Sequence, residues 1–233
     1  MRKLILKSLL TAVFVTGAAM AQTLTPAVES APAAGPAQGV ESAAPVDWAA
    51  RAREAFAAGF KETCASQEGE PPISERLPEV FEHTYKGALD AAEDTERTAT
   101  LYRFFCGRGP YNERHVFYLH SGEDLSLVSF AEPVIHVDYE NEDSDGKVLG
   151  IRVTGLRAQN LLVNSSVDPK SLTMSSADKW RGAADASSSG TWLFKDGGFV
   201  LSTFEVDASY DGKINPVMVA DYRAENEALG ETP

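Results

Sequence analysis

The sequence predicts an α+β fold in which two N-terminal helices pack on a predominantly antiparallel β-meander. Large apolar residues recur every four positions in two segments between residues 48 and 89, which is the spacing of one helix face. From Thr98 onward, short apolar or alternating runs follow one another between Gly, Asn and Asp turns. Strands that succeed one another without intervening helices pair antiparallel. We therefore expect a single α+β domain over residues 47–224.

The first 21 residues have the pattern of an export signal. A basic start at Arg2 and Lys3 precedes an apolar run from Leu9 to Ala19, followed by the small-x-small tripeptide that a signal peptidase needs. The run is shorter than the roughly 20 apolar residues of a membrane span, and no later segment is long enough either. The pattern predicts cleavage after Ala21, a periplasmic or secreted location and no membrane span.

Two segments are expected to lie outside the packed domain. Residues 22–46 consist largely of Ala, Pro, Gly and Ser without apolar periodicity, so they cannot bury enough surface to offset the entropy of ordering. We interpret them as a disordered tether, and the polar residues 225–233 as a frayed acidic tail.

Local signals mark both expected helices. Asp47 is a good N-cap for a helix that begins at Trp48 and ends near Cys64. After a break at residues 69–72, Pro78 suits the first turn of a second helix. The apolar stripe consists of Trp48, Ala52, Phe56 and Phe60 in the first helix, and of Leu77, Phe81, Tyr85 and Leu89 in the second.

Short strands follow, and Asp145-Gly146 and Asp196-Gly197-Gly198 have the chemistry of hairpin turns. The expected strands are Thr98–Cys106, His115–His120, Leu125–Phe130, Val134–Tyr139, Lys147–Thr154, Asn160–Val163, Ser171–Ser175, Thr191–Phe194, Phe199–Glu205 and Val217–Tyr222.

The chain is strongly acidic, with a net charge of −13 that becomes −16 once the three positive charges of the export signal are removed. Such a charge repels phosphate backbones, so we expect no nucleic acid or anionic lipid partner. It would steer basic proteins or cations to the surface, although a role in solubility alone explains it equally.

Cys64 and Cys106 are the two cysteines of the chain. In an oxidising compartment an isolated pair predicts one disulfide. Closing a loop of about 42 residues should stabilise the fold by roughly 4 kcal/mol on the chain-entropy argument. A redox pair or a zinc site is the alternative, but the cysteines form no Cys-x-x-Cys and lack a nearby histidine pattern.

One strand carries a candidate binding or weak metal face. Alternation places His136, Asp138 and Glu140 on the same side of that strand. Imidazole and carboxylates could hold a divalent cation, yet one ion could bridge only two of them, and a solvated strand face explains the pattern as well. The segment from Asn141 to Gly146 superficially follows the start of a calcium loop, but Arg152 stands where a bidentate Glu is required.

No contiguous catalytic motif is present. The sequence lacks a Gly-x-Ser-x-Gly elbow, a His-Glu-x-x-His and a phosphate loop, so no catalytic residue, resident metal or cofactor is predicted. His115 and His120 lie five apart in one strand and therefore face opposite sides. A site assembled from distant parts of the chain stays open, because such sites are defined by geometry.

Three short elements resemble the signatures of an exported family, the domain of unknown function 1176 family. They are the stretch from Cys106 to Asn112, the stretch from Arg181 to Trp192, and Tyr222-Arg223-Ala224. The resemblance covers roughly residues 98–224 and implies a secreted envelope protein without an assigned activity. It also implies that Arg181, Gly182 and Asp185 form a turn-stabilising set. Ala186 stands where the family pattern has cysteine, which suggests the loss of a structural disulfide.

Three classes of function are compatible with these observations. The first is a non-enzymatic periplasmic or secreted domain that binds a protein, for example a cationic one, or an envelope component. The alternative is an envelope hydrolase with a non-contiguous active site, or a structural or stress-related envelope protein. A histidine and a carboxylate near a serine in a deep cavity would favour the hydrolase.

Overall fold

The structure is a computed structural model that describes residues 45–64, 69–91, 93–144 and 146–228. The expected export signal, its cleavage site at Ala21 and the tether up to residue 44 lie outside the described residues. Only the last two tether residues, Pro45 and Val46, are described, and both are exposed.

The described residues form two α-helices and twelve strands. In chain order they are α1 (Trp48–Gly59), β1 (Glu79–Tyr85), β2 (Arg97–Arg108), β3 (Glu113–Ser121), β4 (Asp124–Leu127), β5 (Phe130–Tyr139), β6 (Val148–Gln159), β7 (Leu161–Val163), β8 (Ser166–Val167), β9 (Met174–Lys179), β10 (Ser187–Lys195), β11 (Gly198–Asp207), β12 (Val217–Asp221) and α2 (Arg223–Ala228). Single 3₁₀ turns occur at Ile73–Glu75 and Glu140–Glu142.

The start of the first predicted helix and its cap are confirmed, but the helix ends at Gly59 instead of near Cys64. The Asp47 carboxylate accepts a hydrogen bond from the backbone N–H of Ala50, which satisfies one of the orphan donors at the start of α1. Ala52 and Phe56 are completely buried, so the stripe at four-residue spacing is the packed face of the helix.

The second predicted helix is wrong, because its residues form β1. Seven consecutive pairs, from Glu79 opposite Arg103 to Tyr85 opposite Arg97, join β1 antiparallel to β2. A spacing of four is even, so Phe81 and Tyr85 share a face in a strand as well as in a helix. The alternation of half-buried Phe81 and Tyr85 with exposed Glu82 is the period of a strand.

The strands form two sheets and a separate hairpin, and every pairing is antiparallel, as predicted. The first sheet has the order β1-β2-β3-β4, with β7 pairing a second stretch of β3. The second sheet has the order β12-β11-β10-β9-β8. Among the described strands, β5 and β6 pair only with each other. In chain order this hairpin lies between β4 and β7, which both belong to the first sheet.

Two buried clusters lie on opposite faces of the first sheet. On one face, Leu101 and Phe117 join Trp192 and Phe204 of the second sheet in the main core. On the other face, Phe104 packs against α1 in a second cluster that contains both cysteines. The two faces of β2 are therefore both buried, which explains its long apolar sequence.

The predicted turn after β10 is confirmed, whereas the predicted frayed tail begins with ordered residues. The turn between β10 and β11 has positive φ at Asp196 (48°) and Gly197 (81°), as predicted for its sequence. The expected frayed tail begins inside a helix, because α2 continues to Ala228 and Asn226 is buried. The remaining residues of that tail lie outside the described part of the chain.

Candidate functional site

Cys64 and Cys106 are joined by a disulfide, with their Cα atoms 4.6 Å apart. Both cysteines are completely buried beside Phe56 and Phe104. The bond ties the chain after α1 to the end of β2, so it fixes the helix against the outer face of the first sheet. Its surroundings are those of a structural disulfide rather than of an exposed reactive thiol pair.

The expected face of His136, Asp138 and Glu140 is only partly assembled. His136 Nε2 lies 3.1 Å from Asp138 Oδ1, and the Arg152 guanidinium contacts both Asp138 oxygens at 3.1 and 3.2 Å. Hydrogen bonds from Arg152 are the main reason that the pKa of Asp138 is lowered. A bulge after Asp138 ends the alternation, and Glu140 begins a 3₁₀ turn instead of extending the strand.

Arg181, Gly182 and Asp185 lie in one turn between β9 and β10. The Asp185 side chain is 2% exposed and accepts hydrogen bonds from Arg181 and from the backbone N–H of Gly212. Arg181 also donates to the carbonyl of Tyr210 at 2.8 Å. These bonds hold the pKa of Asp185 far below its usual range and tie the turn to the loop after β11.

A cleft between the hairpin and the second sheet brings together polar residues that are distant in the sequence. We call it the acidic groove and define it by Glu132, Arg157, Asp178, Trp180, Ser188 and Phe204. Its cavity volume is about 200 Å³, and a second cavity of about 60 Å³ adjoins it through shared lining residues. Met174 is buried in the core between the two sheets, and Asp178 lies on the same face of β9 as Met174. The groove is therefore a polar continuation of that core.

Two carboxylates face this groove. Glu132 is 20% exposed and accepts a hydrogen bond of 2.6 Å from Arg157, its cross-strand partner. Asp178 accepts a hydrogen bond of 2.9 Å from the Asn112 side-chain amide. Burial, followed by the negative charge of Glu132, raises the pKa of Asp178, and the bond from Asn112 only partly opposes this.

Asn112 holds the floor of the groove in place. Its amide also donates to the carbonyl of Lys179 at 2.7 Å, and its side-chain oxygen accepts from Asn164 at 2.7 Å. Asn164 in turn has positive φ (44°) and donates to the carbonyl of Ala177. The network orients Asp178 through short side chains from three segments, which is the arrangement of a preorganised site.

The wall of the groove is aromatic. The Trp180 indole N–H donates to the Ser188 hydroxyl at 3.3 Å, which fixes the ring at the groove. Phe204 is 4% exposed and lies at its base. An aromatic wall beside two carboxylates is suited to an organic cation, because a cation is attracted both by negative charge and by the face of a ring.

Sequence reasoning missed the acidic groove. Glu132 and Asp178 lie in different strands and in no shared motif, so no local spacing relates them. Asn112 was the one residue of the groove's supporting network that the sequence analysis had singled out. It is the last residue of the stretch from Cys106 to Asn112 that resembles the exported family, and its side-chain amide donates to Asp178.

A buried hydroxyl and imidazole also come together away from the groove. Ser165 Oγ lies 3.0 Å from His115 Nδ1, and the two residues are 8% and 7% exposed. Burial is the main reason that the pKa of His115 falls to about 4, and the positive charge of Arg103 adds to this effect. Neither residue lines the acidic groove. His120 lies on the opposite face of β3 and stacks on Trp48, with ring centroids 4.2 Å apart.

Groups of three or more His, Cys, Asp or Glu side chains that could hold a metal ion do not occur among the described residues. Within the same part of the chain, no helix is long and apolar enough to cross a membrane.

Comparison of the chain with protein families, with curated proteins and with solved structures finds no match.

Proposed function

We propose that the chain is a periplasmic or secreted binding domain that holds a cationic group of a partner protein in the acidic groove. The observation that carries the proposal is the pairing of Glu132 with Asp178 at one cleft, where Arg157 provides the positive charge. Two carboxylates and one guanidinium leave the groove with one negative charge in excess. A lysine or arginine side chain would neutralise this charge.

Binding energy at this site would come from several sources. Burial, followed by repulsion from Glu132, raises the pKa of Asp178, and a cation in the groove would offset both effects and contact the indole of Trp180. The apolar stem of a lysine or arginine can pack on Phe204 while its charged end reaches the carboxylates. The net charge of the chain steers basic partners toward the surface before contact.

The disulfide supports the proposed location, because such bonds persist in oxidising compartments. The N-terminal export pattern supports it independently, since it rests on the sequence of residues 1–21. The resemblance to an exported envelope family agrees with both.

The test uses the oxidised domain from residue 22 and lysozyme as a purified basic protein, with binding measured by calorimetry at low and moderate salt. Asp178→Asn should weaken binding about tenfold or more, because a hydrogen bond to a charged group is lost from a partly buried site. Glu123→Gln is the matched control, since it removes one carboxylate from an exposed turn between β3 and β4.

The pH dependence gives a second measurement. Binding should weaken as the pH falls toward the raised pKa of Asp178, because protonation removes the charge that holds the cation. Equal affinities for wild type, Asp178→Asn and Glu123→Gln would show that the acidic groove is not the site.

A hydrolase is the second candidate, and the hydrogen bond between Ser165 and His115 is the observation that favours it. A neutral imidazole beside a hydroxyl is the pairing that activates a serine nucleophile. Ester and peptidoglycan substrates should then be cleaved by the wild type and not by Ser165→Ala. Cleavage that survives this substitution would exclude Ser165 as the nucleophile.

A further inference from the structure

Asp178 and Ser188 stand directly opposite each other in the second sheet. The register of β9 and β10 pairs these two residues, and both line the acidic groove. Side chains at such positions lie on one face of the sheet, with their Cβ atoms about 4.5–5.5 Å apart. A carboxylate and a hydroxyl are therefore presented side by side at the groove.

Each of the two carboxylates of the groove uses one oxygen in a hydrogen bond. Asp178 accepts the Asn112 amide through Oδ1 at 2.9 Å. Glu132 accepts the Arg157 guanidinium through Oε1 at 2.6 Å. The second oxygen of each carboxylate, Oδ2 and Oε2, has no hydrogen-bond partner in the described part of the chain. Because both side chains are half-buried, a ligand that donates to these oxygens would be stabilised.

The Ser188 hydroxyl provides a third acceptor. It accepts one hydrogen bond from the Trp180 indole at 3.3 Å, and a hydroxyl oxygen has two lone pairs. The acceptors of the groove thus come from three strands, β5, β9 and β10. Three oxygens around one cavity match the three N–H donors of a primary ammonium group.

A guanidinium matches the groove less well. Arginine binds a carboxylate best through two parallel N–H···O bonds, which need both oxygens of that carboxylate. One of the two oxygens is already taken in Asp178 and in Glu132. The Arg157 guanidinium also lines the groove, so a second planar cation would compete with it for Glu132. A compact ammonium needs only a single oxygen from each side chain.

The size of the cavity limits the ligand further. Its volume of about 200 Å³ is below the roughly 300–1,000 Å³ of pockets that hold drug-sized molecules. An unbranched alkyl chain with a terminal ammonium is small enough, and its methylene groups can pack on the buried ring of Phe204.

We propose that the acidic groove selects a primary alkylammonium, the end of a lysine side chain, over the guanidinium of arginine, and that Ser188 determines this preference. The inference rests on the proposed function and names the group that the groove binds. The ammonium donates to the free oxygens of Asp178 and Glu132 and to the Ser188 hydroxyl. Its charge offsets the negative charge that Arg157 leaves in excess.

The first experiment titrates the oxidised domain with butylammonium, butylguanidinium and butyltrimethylammonium, which share one charge and one alkyl chain. The NMR signal of the Trp180 indole N–H reports binding. Butylammonium should bind about tenfold more tightly than the other two cations, because it alone can satisfy all three acceptors. Equal affinities, tighter binding of either other cation, or no binding of butylammonium would overturn the proposal.

The second experiment compares Ser188→Ala with Ser189→Ala. Loss of the Ser188 hydroxyl removes one acceptor, so the preference for butylammonium over butylguanidinium should largely disappear. Ser189 is the next residue of β10 and points to the opposite face of the sheet, so its variant should keep the wild-type preference. The ratio of the two affinities is the readout, because altered packing of Trp180 would affect both probes. An unchanged ratio in Ser188→Ala would refute the role of this residue.

Chemically modified lysozyme distinguishes a lysine side chain from a free amine. Dimethylation of its lysines keeps their positive charge but leaves one N–H donor on each. Dimethylated lysozyme should therefore bind the domain about tenfold more weakly than native lysozyme. Selective binding of butylammonium, together with equal affinities for the two forms of lysozyme, would assign the site to free amines and refute the assignment to lysine.

The preference for ammonium and the proposed function fail in different ways. Equal binding of native lysozyme by the wild type and by Asp178→Asn would refute the groove as the binding site. Weaker binding by Asp178→Asn, with equal affinities of the wild type for native and dimethylated lysozyme, would keep the groove as a general cation site and refute the preference for ammonium.

Discussion

Replacing His115 with asparagine should remove a component of stability that depends on pH. His115 is 7% exposed, and burial, together with the positive charge of Arg103, lowers its pKa from 6.5 to about 4. Glu113 and Glu79 oppose this shift only weakly. In the unfolded chain the imidazole binds a proton below about pH 6.5, whereas in the folded protein it stays neutral until about pH 4.

The sign and size of the effect follow from this difference. The unfolded state binds more protons between these two pKa values, so the stability is fully present above pH 6.5, falls as the pH decreases to about 4, and levels off below. The interval corresponds to about 3 kcal/mol of unfolding free energy. This is a large fraction of the total stability of a typical domain.

Urea unfolding of the oxidised domain across this pH range provides the assay. An asparagine amide lies close to the position of the imidazole Nδ1 and can still bond to Ser165, but it does not titrate. The difference in unfolding free energy between wild type and His115→Asn should therefore change by about 3 kcal/mol as the pH falls from 6.5 to 4. His120→Asn is the control and should keep the wild-type fall, since His115 remains. Parallel curves for wild type and His115→Asn would refute the reasoning.

Three further predictions concern stability. Cys106→Ala should lower the unfolding free energy by about 4 kcal/mol, because it opens a loop with a sequence separation of 42, and urea unfolding with and without reductant measures the loss. Asp185→Asn should destabilise the domain most above pH 3.8, and the difference should shrink at lower pH, because the carboxyl group of the unfolded wild type then binds a proton while the folded one stays ionised. Thermal melts above and below pH 3.8 measure this difference, and a constant difference would contradict the argument. Gly190→Ala should cost about 1–3 kcal/mol, because a Cβ there would meet the buried ring of Trp192, and an unchanged melting temperature would contradict this.

Much of the secondary structure could be predicted because its signals are local. The cap at Asp47 and the turn at Asp196-Gly197 act within a few residues, and both occur as expected. The short apolar or alternating runs that marked β2, β3 and β11 depend only on neighbouring residues along each strand. The error at β1 has the same origin, because a spacing of four fits one face of either a helix or a strand.

The candidate site was less accessible to sequence reasoning. The face of His136 and Asp138 was found from alternation, but Arg152 on the neighbouring strand neutralises part of it. Glu132 and Asp178 were missed because they meet only after the hairpin folds over the second sheet. Their electrostatic coupling depends on distance through space, which local spacing does not report.

The sequence by itself determined an acidic, disulfide-linked chain with one capped helix and a succession of antiparallel strands, because charge, cysteine content and short-range periodicity are carried by the residues alone. Only the tertiary structure decided that β1 is a strand and that Asp178 lies beside Glu132. Each of these depends on which surfaces of the folded chain cover one another. Such burial changes the stability of a conformation or the pKa of a carboxylate, but no local sequence pattern shows it.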